Sequence, residues 1–211
     1  LGRSNDRGVM TLIKRPARAG KLVIVTGVPG VGKTTVLTSA ITLCKERGVD
    51  VKHVNYGDVM FEEATAKGLV KDRDEMRRLP LKGQVALQLS AAKKIRSITE
   101  KSNVIVDTHI FIRTPDGYMP GIPSWVAESL LPDSIVLLEA DPESISKRRM
   151  KDVGIRTRED DEPSKIDEHQ LMGRGGAAAI SVLTGCTVAI ADNREGRHMA
   201  AGAVIADLFK R

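Results

Sequence analysis

Apolar positions along the chain fall into two alternating patterns, and the alternation itself defines an architecture. Five short runs rich in Val and Ile, each bounded by Gly, Pro, Asp or Asn, predict strands at Lys21 to Thr26, Val51 to Asn55, Asn103 to Asp107, Ser134 to Glu139 and Cys186 to Ala191. Runs this continuous are expected of strands covered on both faces. Between them the period changes to that of helices. Val36, Leu37, Ala40, Ile41 and Cys44 share one face, with Gly48 as a C-terminal stop. Leu81, Val85, Leu89, Ala92 and Ile95 stripe a second helix, and Asp141 with Pro142 forms an N-cap and first-turn pair for a third. Pro163 opens a helix to about Leu183, and Ala200, Ala201, Val204, Ile205 and Leu208 stripe the last. Strand and helix in alternation predict an α/β fold, a three-layer arrangement with a five-stranded parallel sheet and helices on both faces.

Composition narrows the class. The 211 residues suit one domain, and 41% hydrophobic with 28% charged residues is ordinary for a globular chain. The longest uncharged stretch, Gly175 to Ala191, contains Gly, Ser and Thr and falls short of a membrane span, so no membrane partner is expected. Cys44 and Cys186 have no metal-ligand or disulfide-framework spacing, which points to a reducing cytoplasm. The formal charge of +6 suggests nucleic acid until it is apportioned: residues 1–20 hold five basic residues against Asp6, leaving the remainder close to neutral. With six scattered aromatics there is no base-stacking platform, and nucleic acid is not an expected partner. Residues 1–19 read as a disordered basic extension ahead of a domain spanning 20–211.

The chemistry concentrates after the first strand. Gly27-Val28-Pro29-Gly30-Val31-Gly32-Lys33-Thr34 fits the Walker A pattern, and it stands where that pattern must stand, between a Val/Ile strand and an amphipathic helix. Glycines let successive amide N–H groups converge on phosphate oxygens at a helix N-terminus, Lys33 reaches the β and γ phosphates, and the Thr34 hydroxyl ligates Mg²⁺. Asp107 ends the third strand as a Walker B carboxylate would. The sequence after the last strand, Asn193-Arg194-Glu195-Gly196, is not the base-reading motif of a GTPase, and Thr108 and His109 stand where a motor ATPase carries a further acid. A small-molecule kinase fits best. Such an enzyme binds two polyanions and needs further arginines, which Arg148, Arg149, Arg156, Arg158 and Arg174 supply. Arg77 and Arg113 stand where an acceptor phosphate would lie. His109 reads as a turn residue, because phosphoryl transfer relies on positioning and charge more than on a base.

Several further segments carry a resemblance. Val25 to Thr35, Asn55-Tyr56-Gly57-Asp58, Asp72-Arg73-Asp74-Glu75-Met76-Arg77, Asp107-Thr108-His109, Arg113-Thr114-Pro115-Asp116-Gly117-Tyr118-Met119-Pro120-Gly121 and Leu138-Glu139-Ala140-Asp141-Pro142 together resemble the archaeal-type adenylate kinases, within the nucleoside monophosphate kinases. The resemblance covers nearly all of Lys21 to Phe209. It implies transfer of the γ-phosphoryl of MgATP to AMP with Mg²⁺ as cofactor, an acceptor-binding region at about 56–100, a short lid without zinc at about 148–162, and a homo-oligomer, often a trimer. Carried onto this chain, Gly27, Val28, Pro29, Gly30, Val31, Gly32, Lys33, Thr34 and Thr35 would bind ATP, with Thr34 at the metal. Lys33, Arg148, Arg156 and Arg158 would be catalytic, and Tyr56, Asp58, Arg77, Asp107 and Arg113 would bind AMP. The lid departs from the family pattern Arg-Asp-x-Thr-Arg-x-Arg, reading Lys151-Asp152-Val153-Gly154-Ile155-Arg156-Thr157-Arg158. From the residues themselves, a small P-loop kinase for a pyrimidine nucleotide or a metabolite, or an RNA-associated P-loop NTPase, remains an alternative.

Overall fold

The computed structural model describes residues 18–151 and 162–210, without the side chains of residues 74 and 77. Among these residues the chain runs β1 (Leu22–Gly27), α1 (Lys33–Glu46), β2 (Val51–Asn55), α2 (Tyr56–Ala66), α3 (Arg73–Arg77), α4 (Leu81–Ile98), β3 (Asn103–Asp107), β4 (Phe111–Thr114), β5 (Gly117–Pro120), α5 (Ser124–Leu130), β6 (Ser134–Glu139), α6 (Pro142–Lys151), α7 (Pro163–Thr184), β7 (Thr187–Asp192) and α8 (His198–Asp207). Five strands form one parallel sheet in the order β2-β3-β1-β6-β7. The expected fold class is therefore the observed one.

Period-two alternation divides the core between the two faces of this sheet. Leu22, Ile24, Val104, Val106, Ile135 and Leu137 face one cluster, closed by residues of α4, α5 and α7. Val23, Val25, Ile105, Val136 and Leu138 face the other, closed by α1 and α8. Helix ends follow the local chemistry: Asp141 accepts the Ser144 backbone N–H at 2.9 Å, Asn55 Oδ1 accepts from Asp58 N at 3.1 Å, and Gly48 takes φ +69° beyond α1.

Besides the helices α2, α3 and α5, which the apolar stripes did not announce, two features of the strands depart from the sequence expectation. β2 and β7 are edge strands, not buried ones, and Ile190 of β7 is 51% exposed. A continuous apolar run reports burial in most contexts but does not report strand order. In addition, β4 and β5 form an antiparallel hairpin that the reading of five strands did not include. Its turn, Pro115-Asp116-Gly117, has Gly117 at φ +119°, a value that favours glycine.

Residues 1–17 lie outside the described residues. Arg18, assigned to the extension, donates to the Leu131 carbonyl at 2.9 Å and pairs with Asp133 at 2.5 Å. A truncation ending at residue 17 keeps this anchor, and we expect it to leave melting temperature and activity unchanged. Loss of folded protein on that truncation would show that the extension belongs to the domain.

Candidate active site

The loop after β1 is shaped by what its glycines permit. Gly30 and Gly32 have φ of +83° and +90°. A Cβ on Gly32 would come within 2.6 Å of Asn193 Nδ2, and one on Gly30 within 2.8 Å of Arg149 Cγ. The loop is thus held from behind by side chains remote in sequence. Asn193 Nδ2 donates to the Val31 carbonyl at 2.8 Å, Arg148 Nη1 to the same oxygen at 3.1 Å, and Arg149 Nε to the Pro29 carbonyl at 2.8 Å. With its carbonyls satisfied on the outside, the loop keeps the start of α1 for an anion.

At that start Lys33 turns across to β3. Its Nζ lies 2.6 Å from Asp107 Oδ1 and donates to the Thr108 carbonyl at 3.1 Å. Asp107 also accepts from Asn55 Nδ2 at 3.3 Å, which ties the ends of β2 and β3 to the phosphate loop. Thr34 and Thr35 are exposed on the first turn of α1, while Val28 and Val31 are buried and anchor the loop in the core.

Beyond Asn55, Tyr56 begins α2 at the end of β2. It is buried, its hydroxyl donates to the Gln88 carbonyl at 2.8 Å, and burial pushes its phenol above the usual range. The residue therefore seats α2 against α4. Asp58 pairs with Arg73, whose guanidinium lies over Phe61. Arg113 projects from β4 beside Tyr118, with its guanidinium carbon 5.8 Å from the ring centroid. Arg77 closes α3, but its side chain is outside the described residues, as are Arg156 and Arg158. The structure thus brings Lys33, Asp107 and Arg148 to the loop, with Tyr56 and Asp58 on the helix that follows β2.

Sequence reasoning did not find the struts. Arg149 stood out only as part of a basic stretch, and the link from Asn193 to Val31 spans 162 positions. A weak signal existed, since a buried arginine in an amphipathic helix requires carbonyl or carboxylate partners.

His109 is a structural clamp. Its Nδ1 lies 3.1 Å from the Gly27 carbonyl, which can only accept, so Nδ1 carries the proton. Burial, reinforced by the Lys33 charge, lowers its pKa from 6.5 to about 4. Neither the folded nor the unfolded chain is protonated here above pH 6.5, and the contribution of this group to stability is then complete. As the pH falls from 6.5 toward 4 the unfolded chain binds the proton first, and stability declines by up to about 3 kcal/mol. We expect urea midpoints to fall between pH 7 and 5 and His109→Gln to flatten that slope; parallel slopes would assign the acid sensitivity elsewhere.

A parallel sheet whose phosphate loop meets a lysine and a strand-end carboxylate defines a P-loop nucleotide-binding domain. Residues 26–167 match the family model described as AAA domain. The chain is 50% identical to the adenylate kinase of Methanopyrus kandleri, an alignment covering 84% of this chain and 92% of the relative. It is 48% identical to that of Methanocaldococcus jannaschii, over 83% and 91%. Among solved structures, a Chloroflexus aurantiacus protein assigned provisionally as a kinase superposes with a TM-score of 0.51 at 16% identity, covering 91% of this chain and 99% of that one, and shares the fold. The chain belongs to the adenylate kinase family, and its activity is that of an adenylate kinase. No helix among the described residues is long and apolar enough to cross a membrane.

Proposed function

We propose that the domain at 20–211 moves the γ-phosphoryl of MgATP to AMP, giving two ADP. The observation that supports this reading most is the Lys33–Asp107 pair, which ties the phosphate-loop lysine to the end of β3, next to the end of β2. A phosphate oxygen of AMP bonds to the γ-phosphorus as the bond from that phosphorus to the β-bridging oxygen breaks. The attacking oxygen is already anionic, so no general base is needed. This agrees with a neutral His109 turned to Gly27. Lys33 exchanges Asp107 for the phosphates and neutralises charge as it develops, joined by Arg156 and Arg158 of the lid region at about 148–162 and by Arg148 once it releases the Val31 and Asn193 carbonyls.

The Thr34 hydroxyl, exposed on the first turn of α1, suits Mg²⁺. No cluster of three metal-ligating side chains exists among the described residues. Held at Thr34, the ion would supply charge neutralisation to the phosphates during transfer. On the acceptor side, in the region at about 56–100 together with β3 and β4, Tyr56 shapes the wall, Asp58 orients Arg73, Asp107 and Asn55 fix the floor, and Arg77 and Arg113 take the AMP phosphate. A cytoplasmic homo-oligomer, a trimer, completes the proposal, and light scattering of the purified protein tests its mass.

Acceptor choice tests the function itself. Each polar group matched to adenine and left unpaired by another base costs about 1–3 kcal/mol, so kcat/KM for AMP should exceed that for CMP or UMP by at least about tenfold. Equal rates with CMP or UMP would leave a P-loop kinase of other specificity. Absence of ADP formation with any monophosphate would refute the acceptor site.

A further inference from the structure

The hairpin of β4 and β5 rises from the end of the sheet where the phosphate loop begins, since the Ile110 amide, one residue before β4, donates to Thr26 Oγ1 of β1 at 3.2 Å. Side chains alternate along its strands, so Phe111, Arg113 and Tyr118 share one face and the exposed Ile112 and Met119 the other. The first face is turned to α7. That helix comes so near that a Cβ on Gly176 would lie 2.4 Å from Ile110 Cγ2 and 2.6 Å from Phe111 Cε2. From its second turn the buried His169 donates from Nε2 to the Phe111 carbonyl at 3.1 Å, because a carbonyl only accepts. The neighbouring Glu168 accepts the Tyr118 hydroxyl on Oε1 at 3.1 Å. The His169 ring lies 5.1 Å from the Tyr118 ring between centroids, and the Phe111 ring meets it edge-on at 6.3 Å. Tyr118 is thus fixed from three sides. Its cross-strand partner is Arg113, whose guanidinium carbon stands 5.8 Å from the centroid of that ring, within cation–π reach.

We propose that Tyr118 is a positioning residue for Arg113, and that Glu168, His169 and Phe111 hold its ring in the place where it does this. The proposal rests on the reading that Arg113 takes the AMP phosphate. An arginine that must meet a phosphate with its planar fork in register gains from being held before the ligand arrives, because its long side chain otherwise loses freedom on binding. The strand that carries it gives little support of its own, since β4 is four residues long and belongs to a two-stranded sheet. The tie to α7 supplies what the ribbon lacks. An aromatic face attracts a guanidinium without accepting from its in-plane N–H groups, the ones a phosphate needs. Nor does the imidazole behind the ring oppose Arg113: burial, with the charges of Arg149 and Arg113 added, holds His169 below its usual range and so neutral at pH 7.

A double-mutant cycle separates positioning from simple support. Arg113→Gln should raise KM for AMP at least about tenfold, as loss of a charged phosphate ligand does. Tyr118→Leu, which removes ring and hydroxyl, should raise KM for AMP about fivefold and leave KM for ATP within about twofold. In the Arg113→Gln background the same change should add nothing further, because no guanidinium is left to place. Tyr118→Phe and Glu168→Ala break one hydrogen bond from its two ends, so each should raise KM for AMP about twofold to threefold and the pair no more than either alone. Glu168→Gln keeps an acceptor for the hydroxyl and should restore the wild-type value. A tie that merely supports the hairpin would lower melting temperature and raise KM for AMP by the same factor with or without Arg113; equal factors in the two backgrounds would overturn the proposal, as would an unchanged KM in Tyr118→Leu. Should Tyr118→Leu fail to fold, Tyr118→Phe measured in both backgrounds decides on the same criterion. A wild-type KM for AMP in Arg113→Gln would instead strike the reading of Arg113 as the phosphate ligand, and the proposal with it.

Discussion

Lys33→Met is expected to reduce ADP formation by at least about a hundredfold while shifting stability by only about 1–2 kcal/mol. Removing a preorganised donor aimed at charge that develops in the transition state costs roughly 2.7–4 kcal/mol of barrier. The structural cost is smaller because Asp107, the partner left behind, keeps the Asn55 amide on Oδ2 at 3.3 Å, so that only its buried Oδ1 is left unpaired. Stability of a domain this size is typically about 5–15 kcal/mol, so the variant remains folded while it is assayed. Steady-state rates and urea melts on the same preparation separate the two effects. A second change, Asp107→Asn in the Lys33→Met background, should recover part of the lost melting temperature, because it removes the unpaired carboxylate, and should recover none of the activity. Parallel loss of activity and folded protein would make Lys33 a structural residue.

Gly27→Ala should cost both. The added Cβ would lie 2.7 Å from the Leu138 carbonyl oxygen and 2.9 Å from Val31 Cγ1. Leu138 is held in register with Gly27 in the parallel ladder, so its oxygen cannot withdraw without disturbing the junction of β1 and β6. Overpacking of this kind costs about 1–3 kcal/mol. The strain is relieved most cheaply by moving the loop, whose amide groups must converge on phosphate to within fractions of an ångström, so turnover should fall at least about tenfold, with KM for ATP raised. Thermal melts and ATP titration check this together. An alanine variant with wild-type stability and KM would mean that the loop tolerates a side chain where the geometry gives it no room. The two substitutions form a contrast: Lys33 supplies charge to the reaction, whereas Gly27 supplies the space in which the loop takes its shape.

Much of the site was legible in sequence because its determinants are local. The phosphate loop requires glycines, a lysine and a hydroxyl within eight consecutive residues, between a strand and a helix that each announce themselves by period. Asp107 was legible for the same reason, as the polar residue that ends an apolar run. The hairpin was not, because β4 and β5 are four residues each and too short to establish alternation against background. The Pro-Asp-Gly turn between them was the available clue.

What the sequence by itself determined is therefore the five strands of the parallel sheet, the helices α1, α4, α6, α7 and α8, the caps at Gly48 and Asp141 and the phosphate loop, all of which depend on interactions between near neighbours in the chain. Tertiary structure alone decided the partners. The order β2-β3-β1-β6-β7 leaves β7 at one edge although its apolar content resembles that of the central strands, and β2, with Lys52 and His53, at the other. The supports behind the phosphate loop, from Arg148, Arg149 and Asn193 to carbonyls of Pro29 and Val31, close contacts across 117 to 162 positions. The Trp125 to Gln88 bond spans 37. Hydrophobic periodicity says that a face will be covered and, being non-directional, does not say by which element. That choice is made when whole surfaces meet, and only then does a particular donor find the one carbonyl or amide oxygen left without a partner.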